Sequence, residues 1–203
     1  MTLLALLRHG ETAWSRERRI QGRTDIPLSE EGRTVLAGHS LPVEWTGCRV
    51  VSSPLSRCVE TAAVFGRASV DSDMRLIEMS WGEWEGCRLD ELRAEFGENM
   101  RANEALGLDF RPPGGESPRG VFERVKGFLA QVAASGEPTL AVTHRGVIRS
   151  IFAHATGWDM RGRPPLKLDW NAMHVFKLRA DGMPAVDHVN VKLPRVARGE
   201  TIS

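Results

Sequence analysis

Short apolar runs occur at several places in the chain, and polar residues follow them at once. The clearest run is Leu3–Leu7, with shorter ones around Val50–Ser52 and at Thr139–Thr143. Runs without alternation are typical of strands that are buried on both faces of a parallel sheet. Two later segments, Ala172–Leu178 and Ala185–Val191, alternate in part and also predict strands.

Helical patterns separate these runs. Ser29 has the residue type of an N-cap and is followed by two acidic residues, which predicts a helix start. Pro54 suits the first position of a second helix, which we expect to end at Gly66. The strongest helix is predicted to begin at Ser117-Pro118 and end at Gly136. Its apolar positions recur every three or four residues at Val121, Phe122, Val125, Phe128, Leu129 and Val132.

Other segments give weaker signals. We predict a loop from Thr12 to Arg23, a short extended segment near Ser69–Asp73 and a short amphipathic helix at Leu89–Phe96. Another helix is predicted to start near His144, and the chain is expected to be loose from Arg195 onward.

Alternating strands and helices predict one α/β domain, residues 1–203, with helices on both faces of a mostly parallel sheet. The segment after Leu76 departs from this pattern, since it is rich in Trp, Glu and Gly and ends in the loop Arg111–Glu116. We interpret residues from about 80 to 117 as a small insertion that caps a site.

Composition narrows the classes of partner. The 203 residues carry 27 Lys+Arg and 26 Asp+Glu, a net charge of +1, which argues against nucleic acid or an anionic membrane as the partner. The three cysteines form no C-x-x-C pair, and the apolar N-terminus is too short for a signal segment or a membrane span. We therefore expect a cytoplasmic enzyme, while the sequence leaves its oligomeric state open.

Histidine follows two of the predicted strands, at His9 and His144. The carboxyl ends of parallel strands lie on one edge of a sheet, so we expect these residues to meet there with Arg8 and Arg57. Such a cluster of cations suits a phosphoryl group, and histidine can also act as a covalent nucleophile. We find neither a Walker A loop nor a carboxylate cluster for Mg²⁺ in the sequence, so we expect neither a metal nor another cofactor.

With these residues the chain resembles the histidine phosphatase superfamily, also called phosphoglycerate mutase-like. The resemblance rests on an ordered set of motifs over about residues 3 to 155. It comprises Arg8-His9-Gly10-Glu11-Thr12, Gln21-Gly22, Leu28-Ser29 to Gly32, Ser52-Ser53-Pro54-Leu55-Ser56-Arg57, Glu60-Thr61-Ala62, Leu76-Ile77-Glu78-Met79, Trp81-Gly82-Glu83-Trp84-Glu85-Gly86, Pro113-Gly114-Gly115-Glu116-Ser117 and Thr143-His144. Within the family the chain is most similar to alpha-ribazole phosphatase and to broad-specificity phosphatases.

The resemblance implies a phosphohistidine mechanism on small phosphorylated metabolites. His9 is expected to attack phosphorus as a neutral imidazole, with its pKa lowered by Arg8 and Arg57. Arg8, Arg57 and His144 are expected to hold the phosphoryl oxygens. Glu78 aligns with the acid that protonates the leaving oxygen, a role that favours a raised pKa.

Further positions match the family less closely. Thr12, Ser15, Gln21 and Gly22 correspond to positions that line the phosphate or substrate, although many relatives have Asn in place of Ser15. Many relatives have Gly in place of Arg145. That arginine is either a cation at the rim for a second acidic part of the substrate or a solvent-facing side chain.

Three alternatives stay open. The same site fits a phosphoglycerate mutase, although the short segment from Gly86 to Pro112 favours hydrolysis. The second alternative is a binding module without catalysis. In the third, Glu83 or Glu85 replaces Glu78 as the acid.

The segment from Cys87 to Arg93 also fits the C-x₅-R pattern of cysteine phosphatases. We reject that pattern because Asp90 and Glu91 within it would repel phosphate.

Overall fold

The computed structural model describes residues 1–65 and 70–196. Gly66, the predicted end of the second helix, lies outside the described residues, as do Ser69 and most of the segment predicted to be loose after Arg195. No helix within the described ranges is long and apolar enough to span a membrane.

The strands of the described ranges are β1 Thr2–Arg8, β2 Arg49–Ser52, β3 Asp71–Ser72, β4 Thr139–Thr143, β5 Ala172–Leu178 and β6 Pro184–Lys192. They form one sheet with the order β3-β2-β4-β1-β5-β6. β1, β2, β3 and β4 are parallel, whereas β5 and β6 form an antiparallel hairpin beside β1. The predicted α/β class with a mostly parallel sheet is confirmed.

Helices cover both faces of this sheet. The α-helices of the described ranges are α1 Ala13–Arg16, α2 Glu30–Ala37, α3 Ser56–Val64, α4 Leu89–Glu104, α5 Pro118–Ser135 and α6 Arg145–Thr156. On one face α5 and α6 pack against Leu4, Leu6 and Ala141. On the other, α3 packs against β4, and the 3-10 turn Val43–Trp45 covers neighbouring strands. The chain thus has three layers, as expected.

Most predicted boundaries agree with the structure. Ser29 caps α2 by accepting a hydrogen bond from the Gly32 backbone N–H, and Ser117 caps α5 through that of Gly120. The six apolar positions predicted for α5 are all buried. The β4 and β5 predictions match to the residue.

Three predictions were wrong in detail. Pro54 does not begin α3, because Leu55 is the extended N-cap and the helix starts at Ser56. The predicted loop after Thr12 contains α1, a single capped turn. The helix predicted to end at Phe96 continues to Glu104, since Gly97 adopts a left-handed conformation (φ 47°) that joins two helical segments at a kink.

Candidate active site

Three adjacent strand ends bring the predicted residues together. β4 lies between β1 and β2 in the sheet, and Arg8 is in register with Thr143. The ladder continues beyond the strands, since the His9 backbone N–H donates to the Thr143 carbonyl. His9 and His144 consequently lie side by side, with 5.3 Å between their ring centroids.

A cavity of about 800 Å³ opens at this edge of the sheet. Its lining is strongly basic, because seven arginines face two glutamates across it. The arginines are Arg8, Arg18, Arg19, Arg57, Arg93, Arg145 and Arg149, and the glutamates are Glu78 and Glu104. A near-neutral protein therefore holds a concentrated site for an anion.

His9 is buried and lines the cavity. Its Nδ1 atom lies 2.7 Å from the Gly10 carbonyl, which can only accept, so Nδ1 carries the proton and Nε2 keeps its lone pair. Burial lowers the pKa of His9 well below its usual 6.5, and the charges of Arg8 and Arg57 lower it further. The ring is thus a neutral base or nucleophile at pH 7.

Arg8 and Arg57 supply the fixed cations beside that ring. Arg57 is fully buried and donates to the Gly22 and Thr24 carbonyls at 2.8 and 2.9 Å. The Arg8 Nε atom is buried without a hydrogen-bond partner among the described residues. Burial lowers the pKa of both arginines from its usual value because it disfavours their charged form. An anion bound in the cavity would offset that cost.

His144 is fully buried behind the cavity wall rather than in its lining. Arg57 Nε donates to His144 Nδ1 at 3.3 Å, which places the ring proton on Nε2, 2.7 Å from Ser53 Oγ. Burial lowers the pKa of His144 well below 6.5, so this ring is also uncharged. Sequence reasoning missed Ser53 as its partner, although Ser53 belongs to the motif that ends in Arg57.

Glu78 reaches the cavity as a buried carboxyl group. Its Oε1 accepts from the backbone N–H groups of Met79 at 2.8 Å and Gly146 at 3.0 Å. Burial raises the pKa of Glu78 above 4.5, although these N–H groups and the nearby Arg57 and Arg8 oppose the rise. Gly146 also makes room for the carboxyl group, because a Cβ there would stand 2.4 Å from Oε1.

The two rival acids are placed differently. Glu83 is exposed and does not line the cavity. Glu85 accepts from the backbone N–H groups of Arg23, Thr24 and Trp81, at 2.9, 2.9 and 3.1 Å. Burial would raise its pKa, but these hydrogen bonds and one from the Thr24 hydroxyl outweigh burial and lower it. Glu85 therefore holds the loop whose carbonyl groups bind Arg57.

The predicted substrate contacts divide into two groups. Ser15, Gln21 and Gly22 line the cavity. Thr12 does not, because its fully buried hydroxyl accepts from the Ser15 backbone N–H and donates to Gln21 Oε1 at 2.8 Å. Thr12 thus caps α1 and orients the Gln21 amide, whose nitrogen is left as the donor end.

Arg145 lines the cavity, and the structure adds Arg149 one turn further along α6. Sequence reasoning missed Arg149 because an arginine on a helix surface is usually solvated. The signal that could have found it is its spacing, since residues four apart share one face of a helix.

The described residues contain neither a cluster of metal-ligating side chains nor a phosphate-binding loop at Cys87. Within residues 1–65 and 70–196, no group of three or more His, Cys, Asp or Glu side chains could hold a metal ion. Cys87 precedes α4, and the acidic residues after it, Asp90 and Glu91, lie in the exposed first turn of that helix. The segment therefore does not form a phosphate-binding loop.

The sequence and the fold both match known phosphatases and phosphoglycerate mutases. Residues 4–192 match the family model described as histidine phosphatase superfamily (branch 1). Phosphoserine phosphatase 1 of Hydrogenobacter thermophilus is 32% identical over 79% of this chain and 79% of its own. A 2,3-bisphosphoglycerate-dependent phosphoglycerate mutase of Gloeobacter violaceus is 28% identical over 96% of each chain. The mycobacterial glucosyl-3-phosphoglycerate phosphatase, solved with inorganic phosphate, superposes with a TM-score of 0.77 at 25% identity, covering 95% of this chain and 98% of its own.

Proposed function

Because the chain belongs to the histidine phosphatase superfamily, we propose that it hydrolyses small phosphomonoesters through a phosphohistidine on His9, without a metal ion. One observation carries this proposal. His9 is a buried neutral imidazole with an available Nε2 lone pair, and it shares a cavity with two arginines and a carboxyl group of raised pKa. Such an arrangement pairs a nucleophile with an acid at one anion site.

The first step transfers the phosphoryl group to the protein. Nε2 of His9 attacks phosphorus while the bond from phosphorus to the ester oxygen breaks. Protonated Glu78 gives its proton to the departing oxygen, so the alcohol leaves neutral and Glu78 becomes a carboxylate. The N–H groups of Met79 and Gly146 stabilise the carboxylate formed in this step.

The second step restores the protein. The Glu78 carboxylate takes a proton from water as the water oxygen attacks phosphorus, and the bond from phosphorus to Nε2 breaks. Inorganic phosphate leaves, His9 is neutral again, and Glu78 is protonated again. The Gly10 carbonyl, which accepts the Nδ1 proton, stabilises the charge that the ring gains as it becomes phosphorylated.

Arg8 and Arg57 hold the phosphoryl oxygens throughout. Their charges are fixed before the reaction, so they stabilise charge in the transition state without reorganisation. We place His144 in the same role, because its Nε2–H, now donated to Ser53, can turn toward an oxygen of a group bound to His9. Ser15, the Gln21 amide and Gly22 are proposed to contact the rest of the substrate.

We further propose a single domain in which residues from about 80 to 117 cap the cavity. Trp81, Leu89, Gly107 and Phe110 support this, because they line the cavity from that segment. The proposed partners are small phosphorylated metabolites in the cytoplasm, in line with the near-zero net charge of the whole chain. The similarity to a phosphoserine phosphatase favours the same class of substrate.

A phosphoglycerate mutase is the second candidate. The observation in its favour is the similarity to the Gloeobacter violaceus mutase over nearly the whole of both chains. Mutase and phosphatase chemistry share the phosphohistidine and differ in whether an alcohol or water accepts the phosphoryl group.

Release of inorganic phosphate from a panel of phosphomonoesters tests the proposal. We expect turnover by the wild type and its loss in His9→Ala. Normal turnover by His9→Ala would refute the mechanism. Conversion of 3-phosphoglycerate to 2-phosphoglycerate at a higher rate than hydrolysis would instead establish the mutase. Binding without turnover would establish a non-catalytic module.

A further inference from the structure

Arg145 and Arg149 differ from most arginines of the described ranges in forming no ion pair with a carboxylate. Twelve arginines in the described ranges form an ion pair with a carboxylate. Arg145 and Arg149 form no ion pair within residues 1–65 and 70–196, and no hydrogen bond of their side chains is found there. Both nevertheless line the cavity.

Aromatic rings hold the two guanidinium groups in place. Arg145 lies over the Trp170 ring at 5.0 Å, and Arg149 lies over the Trp158 ring at 5.4 Å. Stacking on a ring restrains a guanidinium group while leaving its N–H donors free to bind an anion. Because the two residues are four apart on α6, they lie on one face of that helix.

The two arginines extend the basic site away from His9. The charge of Arg145 lowers the pKa of Arg8 at the catalytic centre and also that of Arg149. Arg145 thus lies within electrostatic reach of both. Burial is the larger cause at Arg149 and, together with Arg145, lowers its pKa to about 10. Arg145 is solvent-exposed and the charge of Glu78 also acts on it, so the cost of holding two like charges together falls mainly on the half-buried Arg149. An anion bound between the two guanidinium groups would offset that cost.

We propose that Arg145 and Arg149 form a second anion site, so that the substrate is a phosphomonoester that carries another anionic group. The inference rests on the proposed function, because the first anion site is the phosphoryl site at His9. A carboxylate and a second phosphate share the required chemistry, since each offers two oxygens to a guanidinium group. The two arginines then determine specificity, while Arg8 and Arg57 hold the reacting phosphoryl group.

Matched substrates test this proposal. 3-Phosphoglycerate and glycerol 3-phosphate differ only in a carboxylate against a hydroxymethyl group. Fructose 1,6-bisphosphate and fructose 6-phosphate test a second phosphate in the same way. We expect kcat/KM of the wild type to be higher for the member that carries the second anionic group in at least one pair. The pair that shows the preference identifies the anion.

Variants then assign the preference to these residues. For Arg149→Gln and Arg145→Gln we expect the preference for the second anion to fall by about 10- to 100-fold, as is typical when a hydrogen bond to a charged group is lost. Arg149→Lys should fall between Arg149→Gln and the wild type, because it keeps the charge and loses the paired donors. Arg111→Gln is the matched control, since the Arg111 side chain is exposed, forms no ion pair within the described ranges and lies outside the cavity.

Two results would overturn the proposal. One is a wild type without preference in either pair, and the other is an equal loss on both members of a pair in the variants. If no phosphomonoester is hydrolysed, the proposed function fails and calorimetry decides the anion site separately. Tighter binding of 3-phosphoglycerate than of glycerol 3-phosphate, or of fructose 1,6-bisphosphate than of fructose 6-phosphate, supports the site if Arg149→Gln abolishes the difference. Equal binding within both pairs refutes it.

Discussion

Gly146 fixes the position of the proposed acid, and Gly146→Ala therefore tests the role of Glu78 without changing its carboxyl group. A Cβ at this position would stand 2.4 Å from Glu78 Oε1 and 3.1 Å from Met79 Cβ. Ordinary contact begins at 3.4 Å, so the carboxyl oxygen has to move by about 1 Å, the difference between the two distances. The hydrogen bond from the Gly146 N–H, now 3.0 Å long, is strained by the same movement.

A displacement of this size costs about 100-fold in rate, which corresponds to about 2.7 kcal/mol of activation free energy. We expect that loss in kcat/KM for an alkyl phosphomonoester, whose leaving oxygen needs the proton of Glu78. With p-nitrophenyl phosphate the leaving group needs no proton, so the first step should slow by less than about 10-fold. A burst of p-nitrophenol in stopped flow measures that step directly.

Gly47→Ala is the control, because a Cβ at Gly47 meets no atom within 4 Å. Thermal unfolding of both variants verifies that they are folded. The reasoning about Glu78 fails if folded Gly146→Ala hydrolyses the alkyl ester within about twofold of the wild type. It also fails if the first step slows equally for both leaving groups.

Three further predictions concern the groups around this acid. The pKa of His9 lies well below 6.5 and that of Glu78 is raised, so kcat/KM, corrected for substrate ionisation, should fall with rising pH as Glu78 ionises. It should stay constant as pH falls through 6.5. A loss of kcat/KM centred at 6.5 on lowering the pH would show that His9 takes up a proton there and is not held neutral. Arg57→Lys removes the guanidinium donors to the Gly22 and Thr24 carbonyl groups, which should lower the free energy of unfolding by about 1–3 kcal/mol for each. The melting temperature should therefore fall measurably, and an unchanged value would contradict the role of Arg57 in holding this loop. Burial raises the pKa of Cys58 beyond the range in which a thiol reacts at pH 7, and the half-buried Cys48 and Cys87 do not line the cavity, so iodoacetamide should not inactivate the protein. Inactivation that disappears in Cys87→Ser would revive the cysteine mechanism.

The catalytic edge of the sheet was predictable because its signals are local. The run Leu3–Leu7 is apolar without alternation since β1 lies between β4 and β5 and is covered on both faces. A strand that ends in Arg8 and His9 places both at the carboxyl edge, and the same logic applies to His144. The meeting of the two histidines follows from parallel pairing alone.

The surroundings of those residues were not predictable in the same way. His144 donates to Ser53, which is 91 residues away in the chain, and Glu78 accepts from Gly146, which is 68 residues away. Partners at such separations depend on the packing of whole elements, which no local pattern encodes. The same holds for Thr12, whose residue type fits both a substrate contact and the helix cap that it forms.

Errors at helix ends have a conformational cause. A glycine commonly ends a helix, so the pattern after Leu89 predicts an end at Phe96. Gly97 instead takes a positive φ within the path of α4, and helical residues resume after it. The choice between ending and kinking depends on what the following residues can bury, and Met100 is buried there beside Trp84.

The central claim is the covalent intermediate, and trapping it is the most direct test. Wild-type protein is mixed with a phosphomonoester labelled at phosphorus and quenched without acid within milliseconds, because phosphohistidine is labile in acid. The account predicts label on the protein that maps to the peptide containing His9 and is absent from His9→Ala. Label on another residue, or turnover in His9→Ala, would contradict it.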